Sequence, residues 1–343
     1  MDIFFGTVVR TAPISQGGEL ICLDWTTKTI RSRIPIFPEN PDISHDPNPR
    51  GNTRGCRGIA FFDGRIICAN YHTLEVFDRE MNHERDITHG LMVGLHETHA
   101  ASDGRIFVTA TAIGAVLAFD AVTGELIDQY WPQEMPTLQE QLNLVPLDID
   151  KQADNRQRFL LASQIRYPSH LHLNAVTLWK DNVYALFNKY GAVANLTTGE
   201  LVIRDPELNH PHNLLITDDG MAVINNSYDH TVRFYELESG KCRHTVHLCD
   251  YPEIRRMRRR ARFSNLTKIF SRFELIKGVI ARPLFVRGLD VTKEHLFVGV
   301  SPASILCINR RTWELEDYYV YSRDVYVCVH GLKVVGRTGQ RDY

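Results

Sequence analysis

An all-β, six-bladed β-propeller with two partly helical insertions is the fold the sequence predicts. Three observations predict it. A four-strand pattern recurs with a unit of about 40 residues, the period of a propeller blade. Helix signals are confined to two insertions, at about 131–168 and 250–283. The two chain ends each supply part of one incomplete copy, so pairing them closes a ring and removes its open edges.

The clearest copy is HPHNLLITDDGMAVINNSYDHTVRFYELESGK, from His210. A basic or imidazole residue leads a short apolar strand. A DG-type turn follows, then an alternating strand, a third strand and a TGE-like hairpin into a fourth. The same order begins at Arg57, His99, His172 and Arg287. The turn residues are Gly64, Gly104, Asn182, Gly220 and His295, spaced 40, 78, 38 and 75 residues apart. The two long spacings hold the insertions. The sixth copy is split: DIFFGTVV, GELICLDWTTKTI and RSRIPIF come from the N-terminus, and VYVCVHGLKVV, 325–335, supplies its innermost strand. One blade cannot bury both faces, whereas blades stacked around an axis can. The whole chain, 1–343, reads as one propeller domain.

In a propeller the innermost strand of each blade lines the central channel. The leading residues are Arg57, His99, His172, His212, Arg287 and His330. Neutral imidazoles converging on a point suit a divalent metal, which assigns His99, His172, His212 and His330 as ligands. Arg57 and Arg287 would grip the carboxylate, phosphate or sulfate of an anionic small molecule, with His210 and Asn174 as further substrate contacts. Glu97 and Asp290 adjoin leading positions and are the candidate general base or orienting carboxylates. The register has two solutions. Alignment on the DG turn puts His96, Asn174 and His212 at one level and pairs His172 with His210. Alignment on the strand pattern joins His99 and His172 to His212. Strict alternation forbids His96 and His99 from both facing the channel unless the backbone bends.

The remaining features bound the function. Net charge is −2, so the protein as a whole is not a polyanion binder. Seven scattered cysteines form no CxxC pair, so neither a disulfide framework nor a zinc knuckle is indicated. No signal peptide or membrane-spanning run is present, and a cytoplasmic location with free thiols is expected. No P-loop, GxGxxG, GxSxG or HExxH motif occurs. RRMRRRAR, 255–262, opens an amphipathic pattern that makes 253–277 a candidate contact for an acidic partner or an anionic surface.

Several segments resemble a known family. HETHAASDGRIFVTAT, HLHLNAV, HPHNLLITDDGMAVINNS, VRGLDVTKEHLFVGVSPAS and RDVYVCVHGLKVVG follow, in order, motifs of the bacterial domain of unknown function 4915. The chain departs from that pattern in HETH, in His212-Asn213 and in Leu332-Lys333. PHNLLITDDG and the DG turns are also loosely similar to gluconolactonase-like and strictosidine-synthase-like six-bladed propellers, without the calcium-binding Glu/Asn/Asn/Asp set. What the resemblance implies is the propeller; it carries no activity over. Two readings of function follow: a small-molecule lyase, isomerase or hydrolase working at one channel mouth, or a non-catalytic scaffold that binds through that mouth and the arginine-rich insertion.

Overall fold

The computed structural model describes residues 1–10, 12, 16–36, 55–158, 169–264 and 284–336. It contains six four-stranded antiparallel sheets. β1 (Asp2–Val9), β2 (Glu19–Asp24) and β3 (Thr29–Pro35) form three strands of blade 1. Blade 2 is β4 (Gly58–Phe62), β5 (Arg65–Ala69), β6 (Thr73–Phe77) and β7 (His83–Thr88). Blade 3 is β8 (Leu95–Ala100), β9 (Arg105–Ala110), β10 (Ala115–Asp120) and β11 (Leu126–Tyr130). Blade 4 follows as β12 (Leu173–Trp179), β13 (Asn182–Phe187), β14 (Ala192–Asn195) and β15 (Glu200–Arg204). Blade 5 is β16 (Pro211–Ile216), β17 (Met221–Asn226), β18 (Thr231–Glu236) and β19 (Lys241–His247). Blade 6 is β20 (Leu289–Val291), β21 (His295–Val300), β22 (Ser304–Asn309) and β23 (Leu315–Val320). The last strand, β24 (Val327–Val335), returns to blade 1 and pairs with β1 from Val327↔Val9 to Val335↔Asp2. This is the predicted closure.

Each connection has a local cause. In blades 1, 3, 4 and 6 the hairpin between the third and fourth strands is an Asx turn. Asp24, Asp120, Asn195 and Asn309 each accept, through Oδ1, the backbone N–H groups two and three residues on. The inner strands β24, β4, β8, β12, β16 and β20 neighbour one another in that order around the channel. Apolar clusters fill the six blade junctions. Phe297, Trp25 and Ile305 fill the junction of blades 6 and 1, and Phe107, Val116 and Phe187 that of blades 3 and 4. Each such side chain is worth roughly 1.5–3 kcal/mol of burial, so the junctions carry most of the fold's cohesion.

The insertions are partly helical. The first contains a 3-10 turn (Pro132–Glu134) and α1 (Pro136–Leu142), which buries Leu138 and Leu142. The second contains α2 (Pro252–Ser264), which buries Ile254 and Ala261. Residues 265–277 of the arginine-rich segment lie outside the described residues. All seven cysteines are free thiols. Among the described residues no helix is long and apolar enough to cross a membrane.

Candidate functional site at the upper channel mouth

The mouth where β1 ends and β24 begins holds the leading residues. In ring order they are His330 on blade 1, Arg57 on blade 2, His96 on blade 3, His172 on blade 4, His212 on blade 5 and Arg287 on blade 6. The order is polarised. Three consecutive blades bring imidazoles. The opposite three bring two guanidiniums with His330 between them. His96 sits centrally, its ring 5.0 Å from that of His330, 5.6 Å from His172 and 6.1 Å from His212. A cavity of about 150 Å³ opens here, and Arg10, His170 and Tyr71 also line it.

His99 is not in this group. It lies further along β8 beside a different cavity of about 380 Å³ at the lower mouth, with Lys333, Asp2 and Phe4, and its Nδ1 is 3.4 Å from Thr177 Oγ1. His96 takes the place that the strand-pattern alignment assigns to His99. His210 is exposed on the rim and packs on Tyr228 at 4.0 Å. Asn174 is buried and donates to the Pro211 carbonyl at 3.0 Å.

Backbone irregularities make this arrangement. The register shifts at Leu95/Thr98, Leu173/Ala175, His212/Leu214 and Phe5/Thr7, in all four histidine blades. A β-bulge breaks alternation and re-aims side chains. His172 and Asn213 adopt left-handed φ of 54° and 52°, a conformation uncommon outside glycine and concentrated at functional sites. Beneath the imidazole layer lies a second polar layer. Asn213 donates to Glu97 Oε2 at 2.5 Å, and its Oδ1 accepts from Gly288 N–H at 2.9 Å and Asn225 at 3.0 Å. Asp290 accepts the Val334 N–H at 2.6 Å and stands 4.0 Å from Lys333 Nζ.

The imidazoles are poised as lone-pair donors. Nδ1–H of His330 donates to the Arg57 carbonyl at 2.9 Å, and Nδ1–H of His212 to the His210 carbonyl at 2.9 Å. Ser227, which gives its own proton to the Val286 carbonyl, sits 2.9 Å from the same His212 nitrogen. Both rings are thereby locked in the Nδ1–H form, leaving Nε2 bare. Nε2 of His212, Nε2 of His330 and Nδ1 of His96 are buried without a hydrogen-bond partner. Such nitrogens are costly to bury unsatisfied. Burial holds His96, His172, His212 and His330 well below the usual histidine range, and nearby cationic side chains push the same way. All four are therefore neutral at pH 7. Among the described residues no three channel donors lie within 4.8 Å of one another. His170 is committed elsewhere: Nε2–H donates to the Thr111 carbonyl and Nδ1 faces Lys189.

The guanidinium half is strongly cationic. Arg57 is buried, donates to the Leu95 carbonyl at 3.1 Å and lies 5.3 Å from the Tyr71 ring. Arg287 stacks 4.3 Å over Phe285, and Arg10 approaches the same ring at 5.8 Å. No carboxylate among the described residues pairs with Arg287, and its Nε is buried without a partner. Burial and then Arg10 pull its pKa well below the ordinary range. No acidic residue lines the cavity. Residues the sequence reading left out are Arg10, Ser227 and Asn213; each sits in a loop or at a bulge, where strand patterning gives no signal.

Three solved structures align with this chain. A protein of unknown function from Bacteroides caccae aligns over 96% of this chain and 98% of its own, with a TM-score of 0.55 and 12% identity. The β-propeller domain of Myceliophteria thermophila Cps50 (Swd1) aligns over 94% and 88%, with a TM-score of 0.49 and 9% identity. The computationally designed Ika8 protein aligns over 82% and 66%, with a TM-score of 0.41 and 15% identity. No protein-family model and no curated protein sequence matches the chain, so the motif-level resemblance to particular propeller families gains no support from them. What the first of these structures supports is the propeller fold.

Proposed function

We propose that the upper mouth binds an anionic small molecule and acts on it with a divalent metal ion held by the imidazole half. The observation that carries this reading is the polarised ring: bare, neutral imidazole nitrogens face two guanidiniums, of which Arg287 pairs with no carboxylate among the described residues. His96, His172, His212 and His330 offer the nitrogen donors, with His96 in the position first assigned to His99. The side chains stand wider than a closed coordination shell, so holding a metal would require the rings to move inward. A metal bound there would supply Lewis-acid polarisation of a substrate oxygen. Arg57 and Arg287 bind and orient the anionic group. The guanidinium of Arg287, with Arg10 nearby, suits a carboxylate, phosphate or sulfate. Glu97, adjoining His96 and pushed up to about 7 chiefly by burial, is the group suited to holding or accepting a proton near neutrality. Asp290 stands beside Lys333 and accepts the Val334 N–H. Lyase, isomerase or hydrolase chemistry fits this set.

Calorimetric titration with inorganic phosphate and with malonate, each with and without Mn²⁺ or Zn²⁺, tests it. Expected are anion binding that metal strengthens, loss of the metal effect in His212→Ala, and loss of anion binding in Arg287→Gln. Anion affinity indifferent to metal, with no metal retained on elemental analysis, would remove the metal from the reading. Unchanged anion affinity in Arg287→Gln would remove the site.

A second reading rests on α2. Its Ile254 and Ala261 face inward, and Arg255, Arg256, Arg259 and Arg260 are exposed. This face suits an acidic partner or an anionic surface.

A further inference from the structure

The outer part of blade 6 carries a second set of metal-type donors, on strands other than those that line the channel. His295 opens β21, Cys307 lies on β22 and Glu316 on β23. The register explains why they meet. Phe297 faces Cys307 and His295 faces Asn309, so these four side chains share one face of the sheet. Cys307 pairs with Asp317 and Ile308 with Leu315, which leaves Glu316 as the extra residue of a bulge. One donor atom from each of His295, Cys307 and Glu316 lies within 4.8 Å of the others. His295 Nε2 is 2.7 Å from Glu316 Oε2, and Asn309 donates to Glu316 Oε1 at 2.7 Å. Asp317, next along β23, is held by Lys28, whose ammonium lies 3.0 Å over the Trp25 ring.

Blade 2 shows what this position does without metal chemistry. There Arg65 opens the second strand and pairs with Glu84, the extra residue of the equivalent bulge, at 2.6 Å. Val76 stands where blade 6 has Cys307. Blade 2 thus has an ordinary ion-pair clasp over an apolar residue. In blade 6 the cation of the clasp has become an imidazole and the apolar residue a thiol. Both changes convert a clasp into ligands.

We propose that His295, Cys307 and Glu316 bind a zinc-type divalent ion, with a fourth position left for water or a ligand. A nitrogen, sulfur and carboxylate set selects a borderline-soft metal over magnesium or calcium. Binding exchanges the thiol proton, released to solvent, for a sulfur–metal bond, while His295 gives a ring-nitrogen lone pair. Asn309 fixes the carboxylate that the ion meets, as outer hydrogen bonds do at metal sites.

The test is titration of the full chain with Co²⁺, read by the thiolate-to-cobalt charge-transfer band in the near ultraviolet. The band is expected in the wild type and in His212→Ala, which alters only the channel. It should vanish in Cys307→Ser and weaken at least tenfold in affinity in His295→Ala, with circular dichroism showing both variants folded. A band that persists in Cys307→Ser, disappears in His212→Ala or never forms overturns the site.

Discussion

Arg287 sets the residue-scale problem. A guanidinium partly withdrawn from water, stacked on Phe285 and with Arg10 nearby, costs stability where no carboxylate among the described residues offsets it. The anion-binding reading proposed above would account for a residue kept at such a cost. Arg287→Gln should therefore raise the unfolding free energy of the ligand-free protein by about 1 kcal/mol, while ending the stabilisation that added phosphate or malonate gives the wild type. Denaturant titrations with and without anion measure both effects. A variant less stable than wild type would mean the charge is already compensated. The residue scale also shows what the sequence hid. Arg57, His172, His212, Arg287 and His330 were legible as one leading residue per blade. His96 was not separable from His99, because alternation counts residues while the bulge at Leu95/Thr98 adds one. Glu97 and Asn213 turn into the channel for the same reason.

At the scale of the elements, glycine backbones let strands approach where the leading residues stand. Gly299 on β21 is the sharpest case. A Cβ there would lie 2.3 Å from the Arg287 carbonyl and 2.5 Å from Val329 Cγ1. Gly299 N–H donates to the Gly288 carbonyl, and the Gly299 carbonyl accepts from Arg287 N–H, both at 2.9 Å. Blade 6 thus grips the strand that presents Arg287. Gly299→Ala should cost roughly 1–3 kcal/mol by overpacking and weaken anion binding together with stability. An alanine variant of wild-type stability and affinity would show that β21 yields without moving Arg287. The strand pattern revealed this element and its partner. The role of Gly299 was illegible, since it depends on β24 arriving from 30 residues further along the chain to supply Val329.

Over the whole molecule, buried titratable groups tie folding to pH in two opposed ways. Eight imidazoles have depressed pKa values chiefly through burial: His96, His172, His212 and His330 well below the usual range, His72 and His170 at about 4, and His89 and His244 lowered. Below about pH 6.5 the unfolded chain takes up protons that the folded chain refuses, so stability falls as pH drops. Glu97 acts in the other direction. Its carboxyl is raised from 4.5 to about 7, so between those values the folded chain keeps a proton that the unfolded chain has released. Stability contributed by that proton is lost as pH rises, and the loss is complete above about 7. Eight imidazoles outweigh one carboxyl on the acid side, which places the optimum near pH 6.5. Glu97→Gln keeps an oxygen to accept from Asn213 and removes the alkaline loss. Its unfolding free energy should exceed that of wild type by on the order of 2 kcal/mol at pH 8 and match it near pH 4.5. Denaturant unfolding at pH 4.5, 6.5 and 8 separates the limbs. Parallel profiles for the two proteins would mean that Glu97 is ionised in the fold, and the proton it is proposed to handle would have to come from another group.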